Sequence, residues 1–173
     1  MPGWKTSAMG QDKPNKLTKI EKNLDDIKAI LLPDDDLLEV GCFHGDLYRA
    51  LGHENYTGMD LFEDNVIEAR KKNPGVRFLR GDLFELTGKW DVIVCCRVLM
   101  HLPDFGLAIE RLRSCIKRKL IIVIPTGTED TCALEPSGVY FRMFSKKTVL
   151  DSGGVLKEYL NRYSTVIYDP LLP

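Results

Sequence analysis

The 173 residues are 44% hydrophobic and 28% charged, with a formal net charge of −1. That balance fits one globular domain with a sizeable core, and it carries no basic footprint for nucleic acid or an anionic membrane. No apolar run is long enough to span a bilayer, and the polar opening "MPGWKTSAMGQDKPNK" lacks the apolar stretch of a secretory signal.

Residues 1–15 read as a flexible tail. Leu17, Ile20, Leu24, Ile27, Ile30 and Leu31 recur at spacings of three and four and predict an amphipathic helix over 16–32, stopped at Pro33. "DLLEVG" (36–41) is apolar without polar alternation, as in a strand buried on both faces. A short helix follows over 46–51, closed by Gly52, and then a strand "YTGMD" (56–60). The next helix, 63–72, has acids Glu63 and Asp64 in its first turn and Lys71 and Lys72 in its last. "VRFLRGD" (76–82) and "WDVIVCC" (90–96) are further strands. Pro103 and Asp104 open a helix carrying Leu107, Ala108, Leu112 and Ile116, with Lys117, Arg118 and Lys119 at its end, where they suit the helix dipole. "LIIVIP" (120–125) predicts a central strand. A polar stretch from Thr126 leads to a helix near 145–152. "VLKEYL" and "STVIYD" then lie so close, around Asn161, that they must pair antiparallel.

Strands alternating with helices give an α/β, doubly wound, Rossmann-like sheet, mostly parallel with an antiparallel end. The five cysteines, Cys42, Cys95, Cys96, Cys115 and Cys132, are odd in number and form no C-x-x-C pair. They offer neither a disulfide framework nor a metal site, and predict a reduced, cytoplasmic protein.

In such a sheet the ligand sits beyond the carboxyl ends of the strands. The first strand ends in Glu39, Val40 and Gly41, the second in Asp60, the third in Gly81 and Asp82, and the fourth runs out through Cys96 and Arg97 toward His101. Gly41 and Gly45 let backbone approach a ligand closely. Asp60, 19 residues beyond Gly41, is spaced to accept both hydroxyls of a ribose. Asp82 suits an exocyclic amine such as adenine's, and Glu39 a cationic amine. A dinucleotide would want G-x-G-x-x-G and a bare helix N-terminus. Here Phe43 and His44 fill the turn, Asp46 follows it, and acids crowd the strand ends; they favour a ligand with an amine and a sulfonium.

"LLEVGCFHGDL", "YTGMDL", "VRFLRGDLFEL" and "WDVIVCCRVLMHLPD", in that order, resemble the successive motifs of class I S-adenosylmethionine-dependent methyltransferases over residues 36–125. The resemblance implies a seven-stranded sheet of order 3-2-1-4-5-7-6, and a single domain over 16–173 with its cofactor core at 36–125 and its substrate part at 126–173. It implies that Glu39 and Gly41 line the methionine part of the cofactor, with Cys42 and Gly45 also in the cofactor site. Asp60 would hold the ribose and Leu61 would lie against adenine. Asp82 and the backbone of Leu83 would take adenine's polar edge, and Cys96 and Arg97 would border the reactive methyl. Phe43 stands where the family has a glycine, which narrows the pocket or shifts the turn.

The expected activity is methyl transfer from S-adenosylmethionine to a small-molecule acceptor, such as a sugar or other metabolite hydroxyl. A hydroxyl nucleophile needs a base: His101 is the candidate by position, with His44 second. No "NPPY"-like stretch follows the fourth strand, which argues against methylation of nucleic-acid bases or glutamine amides. Glu135, Tyr140, Phe141 and Arg142 are the acceptor-side candidates. The substrate part is short, so a homodimer is one way to complete the site. Two other readings are a non-catalytic methyltransferase-like partner subunit, consistent with Phe43, and an NAD(P)-dependent reductase or epimerase, which the missing third glycine opposes.

Overall fold

The computed structural model describes residues 21–134, 138–157 and 163–170. The expected tail, Leu17 and Ile20 of the first helix, Glu135, and the turn at Asn161 lie outside the described residues. Five parallel strands, β1 (Leu37–Val40), β2 (Tyr56–Asp60), β3 (Arg77–Arg80), β4 (Trp90–Cys96) and β5 (Ile116–Gly127), lie in the order β3-β2-β1-β4-β5. All four residues of β1 are buried because helices cover both sides of the sheet. Leu37, Val92 and Ile121 pack with Ile27 of α1 (Glu21–Ile30), Leu47 of α2 (Asp46–Leu51), and Val66 and Ala69 of α3 (Glu63–Lys72). Leu38, Ile93 and Leu120 pack on the other side with Ala108 and Leu112 of α4 (Phe105–Ser114). Period-two alternation between two covered faces makes each strand apolar throughout, which is why the sequence shows no polar alternation there.

Two more helices and turns follow their expected signals. Asp104 caps α4, its Oδ1 accepting from Leu107 N at 2.9 Å. Ser145 caps α5 (Lys146–Asp151) by accepting from Thr148 N at 3.1 Å.

The chain closes with β8 (Val155–Lys157) and β9 (Tyr163–Tyr168), an antiparallel pair. β9 lies antiparallel against β5, from Leu120 beside Tyr168 to Pro125 beside Tyr163. The run β3-β2-β1-β4-β5-β9-β8 therefore follows the expected order. The expected count of seven does not hold. A further hairpin, β6 (Thr131–Leu134) and β7 (Tyr140–Ser145), makes nine strands among the described residues. β7 joins β5 in parallel at Thr126 and Gly127, just past the point where β9 pairs with it. The stretch after Thr126 was read as polar and irregular because all four residues of β6 are exposed, so no buried face imprints a strand pattern on them.

The basic run is a second correction. α4 stops at Ser114 with Cys115 as its cap, and Ile116 and the three basic residues already belong to β5. Lys117 pairs with Asp91 at 3.1 Å, and Lys119 with Asp169 at 2.6 Å. Arg118 is bidentate on the buried Asp35, with Nε donating at 3.1 Å, and also donates to Ile30 O at 3.0 Å. Partners distant in sequence, not a helix dipole, hold this charge. α1 is fastened at its other side to the last strands. Asn23 donates to Thr165 Oγ1 at 2.9 Å, Thr165 donates to Asp26 at 2.7 Å, and Lys157 pairs with Asp26. Among the described residues no helix is long and apolar enough to cross a membrane.

Candidate functional site

The ends of β1 to β5 bring the candidate residues to one rim. After β1 the backbone turns sharply: Gly41 N and Cys42 N both donate to Met59 O, at 2.7 and 3.0 Å, and Gly45 N donates to Cys42 O at 2.9 Å. Gly41 has φ +76° and Gly45 φ +75°, conformations that glycine adopts without strain. A Cβ on Gly41 would lie 2.1 Å from Val98 Cγ2, and one on Gly45 2.5 Å from Asn73 Nδ2 and 2.8 Å from Phe78 Cζ. Protein therefore fills the side-chain directions of both glycines, which gives them a packing role alongside any approach to a ligand.

Phe43 takes φ +50° between them. A bulky residue there costs on the order of 1–3 kcal/mol and persists only where the surroundings impose it. What imposes it is Asp60: Phe43 N donates to Asp60 Oδ2 at 2.9 Å. The phenyl ring stacks on His44, with centroids 3.6 Å apart. His44 Nδ1 lies 3.1 Å from Lys72 Nζ on the outer surface.

Asp60 is buried, and its Oδ1 accepts from Phe62 N and Asn65 Nδ2, each at 3.0 Å. One carboxylate thus ties the glycine turn to the start of α3. A carboxylate has about four acceptor positions, so a ribose diol would share Asp60 with these donors. Beyond β3, Asp82 Oδ1 accepts from Phe84 N at 2.9 Å and starts a tight turn, Leu83–Glu85. Leu61, Arg80, Gly81, Asp82 and Glu85 line a cleft of about 410 Å³, next to Asp60 in the chain and wide enough for a purine ring. Leu83 is buried beneath it.

Glu39 is also buried and points along the sheet toward Tyr56, whose hydroxyl donates to its Oε2. Burial first, and the Glu39 charge second, push the Tyr56 hydroxyl well above its usual range, so it stays a neutral donor. The same two causes, in the same order, push up the thiols of Cys42, Cys95 and Cys96. Tyr56 is a site residue the sequence did not reveal. Its link to Glu39 comes from the register of two adjacent parallel strands, which places Leu37 beside Tyr56 and Glu39 beside Gly58.

The far side of the rim is built differently. Arg97, directly after β4, has φ +60°. That left-handed residue reverses the chain so that Val98 packs over Gly41, while the Arg97 guanidinium lies 4.9 Å from the Tyr163 ring centroid. His101 ends a tight turn, Leu99–His101, and its Nδ1 lies 2.8 Å from Tyr140 O in β7. A carbonyl only accepts, so Nδ1 carries the proton and Nε2 is the basic nitrogen of the neutral ring. The Phe141 ring meets the imidazole edge-on, with centroids 6.2 Å apart. The added hairpin thus meets His101 through the Tyr140 carbonyl and the Phe141 ring, while Arg142 follows Phe141 in β7 and His44 lies at the glycine turn.

Against this geometry the comparisons are specific. Residues 38–119 match the model of a family described as a methyltransferase domain. The magnesium-protoporphyrin O-methyltransferase of Synechocystis sp. (strain ATCC 27184 / PCC 6803 / Kazusa) is 30% identical over 144 residues, covering 74% of this chain and 63% of that protein. The chain is thus similar to the methyltransferase-domain family over residues 38–119. Among solved methyltransferases, magnesium protoporphyrin IX methyltransferase from Synechocystis PCC 6803 with bound SAM superposes with a TM-score of 0.68 at 22% identity, over 94% of this chain and 88% of that one. The 1,6-didemethyltoxoflavin-N1-methyltransferase of Burkholderia thailandensis, with bound 1,6-didemethyltoxoflavin and S-adenosylhomocysteine, gives 0.76 at 15% identity, over 94% and 83%. At those identities the two structures speak for the methyltransferase fold. The chain spans less than two thirds of the length of its curated Synechocystis relative.

Proposed function

We propose that this chain is a methyltransferase that moves the methyl group of S-adenosylmethionine to an oxygen of a small-molecule acceptor. The observation that carries the reading is the buried Asp60 at the end of β2, beside the cleft lined by Leu61 and Asp82. The residues fit the cofactor. Asp60 would accept the ribose hydroxyls, Leu61 would lie on adenine and Asp82 would accept its amine. Glu39, with Cys42 and Cys96 on the same rim, supports the cationic end, and Gly41, Gly45 and the Leu83 backbone shape the floor. S-adenosylmethionine supplies an electrophilic methyl on a sulfonium.

This chain's part in the transfer is to position and desolvate. The acceptor oxygen must be held about 3 Å from the methyl carbon and in line with the departing sulfur, and such placement is worth effective molarities of roughly 10⁵ M or more. His101, with Nδ1 anchored on Tyr140 O, presents Nε2 to take the proton of a hydroxyl. Tyr140 and Arg142 stand on the acceptor side. Five free cysteines fit a reducing, cytoplasmic setting.

Calorimetric titration with S-adenosylmethionine, S-adenosylhomocysteine and NAD tests this. Micromolar binding of the first two and none of NAD is the expected result. Binding of NAD alone would overturn the reading in favour of a reductase. A folded protein that binds neither sulfur compound would mean that Phe43 closes the turn, and would favour the partner-subunit role.

A further inference from the structure

Two guanidinium groups on the acceptor side lack acceptors. Arg97 Nε and Arg142 Nε are both buried without a hydrogen-bond partner, and neither side chain makes an ion pair among the described residues. Other arginines show the contrast: Arg118 is bidentate on Asp35, Arg49 pairs with Asp46, and Arg70 and Arg111 donate to backbone carbonyls, while Arg77 and Arg80, which also lack partners among the described residues, are exposed to water. Buried donors are normally satisfied, and an exception calls for a reason.

Four buried side-chain atoms among the described residues lack a partner; two of them, Trp90 Nε1 and Asn23 Oδ1, lie elsewhere, and the two guanidinium nitrogens flank the segment that carries His101. Arg97 precedes it in the chain by four residues, and Arg142 lies in β7, two residues beyond the Tyr140 carbonyl that holds the imidazole. Arg97 is also fixed in place. Its backbone is left-handed, its N–H donates to Val123 O at 2.8 Å, and its guanidinium rests on the Tyr163 ring. A rigid planar fork with unused N–H groups matches a planar two-oxygen anion.

We propose that Arg97 binds a carboxylate on the methyl acceptor, so that the acceptor is a small carboxylic acid. The proposal rests on the methyltransferase reading above and specifies its substrate class. A bare cation beside the place of a sulfonium would repel it; a carboxylate between them removes that conflict. A dianionic phosphate fits less well, because Glu39, Asp60 and Asp82 already make the rim acidic.

The test is a titration of the protein, with and without saturating S-adenosylhomocysteine, using benzoate, its neutral isostere benzamide, and inorganic phosphate. Benzoate should bind at least tenfold more tightly than benzamide and more tightly than phosphate. Arg97→Met should abolish that preference. Arg97→Lys, which keeps the charge but loses the fork, should retain part of it and guards against a variant that merely fails to fold. Equal affinity for benzoate and benzamide in the wild type would overturn the proposal, as would tighter binding of phosphate. So would a tenfold loss of S-adenosylhomocysteine affinity in Arg97→Met with the benzoate preference intact, which would assign the guanidinium to the carboxylate of the cofactor's own amino acid. Failure of S-adenosylhomocysteine to bind the wild type would count against the methyltransferase reading alone, since the benzoate preference is read without it as well.

Discussion

The two halves of the rim solve the problem of holding a ligand in opposite ways. At the ends of β1 to β3 the polar groups are already bonded to protein, and Glu39 and Asp60 are buried. Asp60 accepts from Phe43, Phe62 and Asn65, Glu39 accepts from Tyr56, and Asp82 caps its own turn. Just past β4 and within β7, Arg97 Nε and Arg142 Nε are buried without a partner among the described residues, and the supporting hairpin is exposed along all of β6. A half whose geometry is over-determined suits a ligand shared by a whole family. A half with unspent hydrogen-bonding groups on an added hairpin suits a ligand particular to this chain.

Five substitutions or treatments probe that contrast. Asp60→Ala should have the largest effect: two charge-assisted hydrogen bonds to a ribose, at about 1.5–3 kcal/mol each, correspond to a loss of roughly 100-fold or more in S-adenosylhomocysteine affinity by calorimetry. Unchanged affinity would show that Asp60 serves only the turn. Gly41→Ala should destabilise the fold by about 2 kcal/mol in urea unfolding, because its Cβ would meet Val98 at 2.1 Å in a left-handed conformation. Adding Val98→Ala should restore part of that, and strict additivity would deny the contact.

The hairpin side should respond more mildly. Ser145→Ala removes the cap of α5 and should cost about 1 kcal/mol. Asp130 accepts from Thr148 Oγ1 at 2.5 Å and from Ser145 N at 2.7 Å; these bonds, the Thr148 hydroxyl first, hold its carboxyl below the usual range. Its folded-state value is therefore depressed. Its contribution is complete above the unfolded value of 3.8 and disappears as the pH falls through the lower folded one. Wild type and Asp130→Asn should differ in stability by a constant amount from about pH 7 to 5, and the gap should close below about pH 4. A gap that widens in acid would refute the sign. The smallest effect is chemical: an alkylating thiol reagent at about pH 8 should modify exposed Cys132 quickly and leave Cys42, Cys95 and Cys96 intact, since burial pushes those thiols up. Rapid loss of Cys96 would reveal an open β4 end.

The amino-acid sequence by itself determined the parallel sheet, the glycine turn and the acids at three strand ends. Each is a local signal: an unbroken apolar run between covered faces, a pair of residues that tolerate positive φ, a carboxylate just past a strand. Tertiary structure decided the rest. Lys117, Arg118 and Lys119 read as a helix end because their partners Asp91, Asp35 and Asp169 are far away in the chain. The β6–β7 hairpin was invisible because exposed strands carry no burial pattern, although it supplies the carbonyl that sets the His101 proton. The Glu39–Tyr56 bond and the seat of Arg97 on Tyr163 depend on strand register and on β9 lying beside β5. Local chemistry is written residue by residue, but which buried polar groups are satisfied, and which are left for a ligand, is fixed only when distant strands meet.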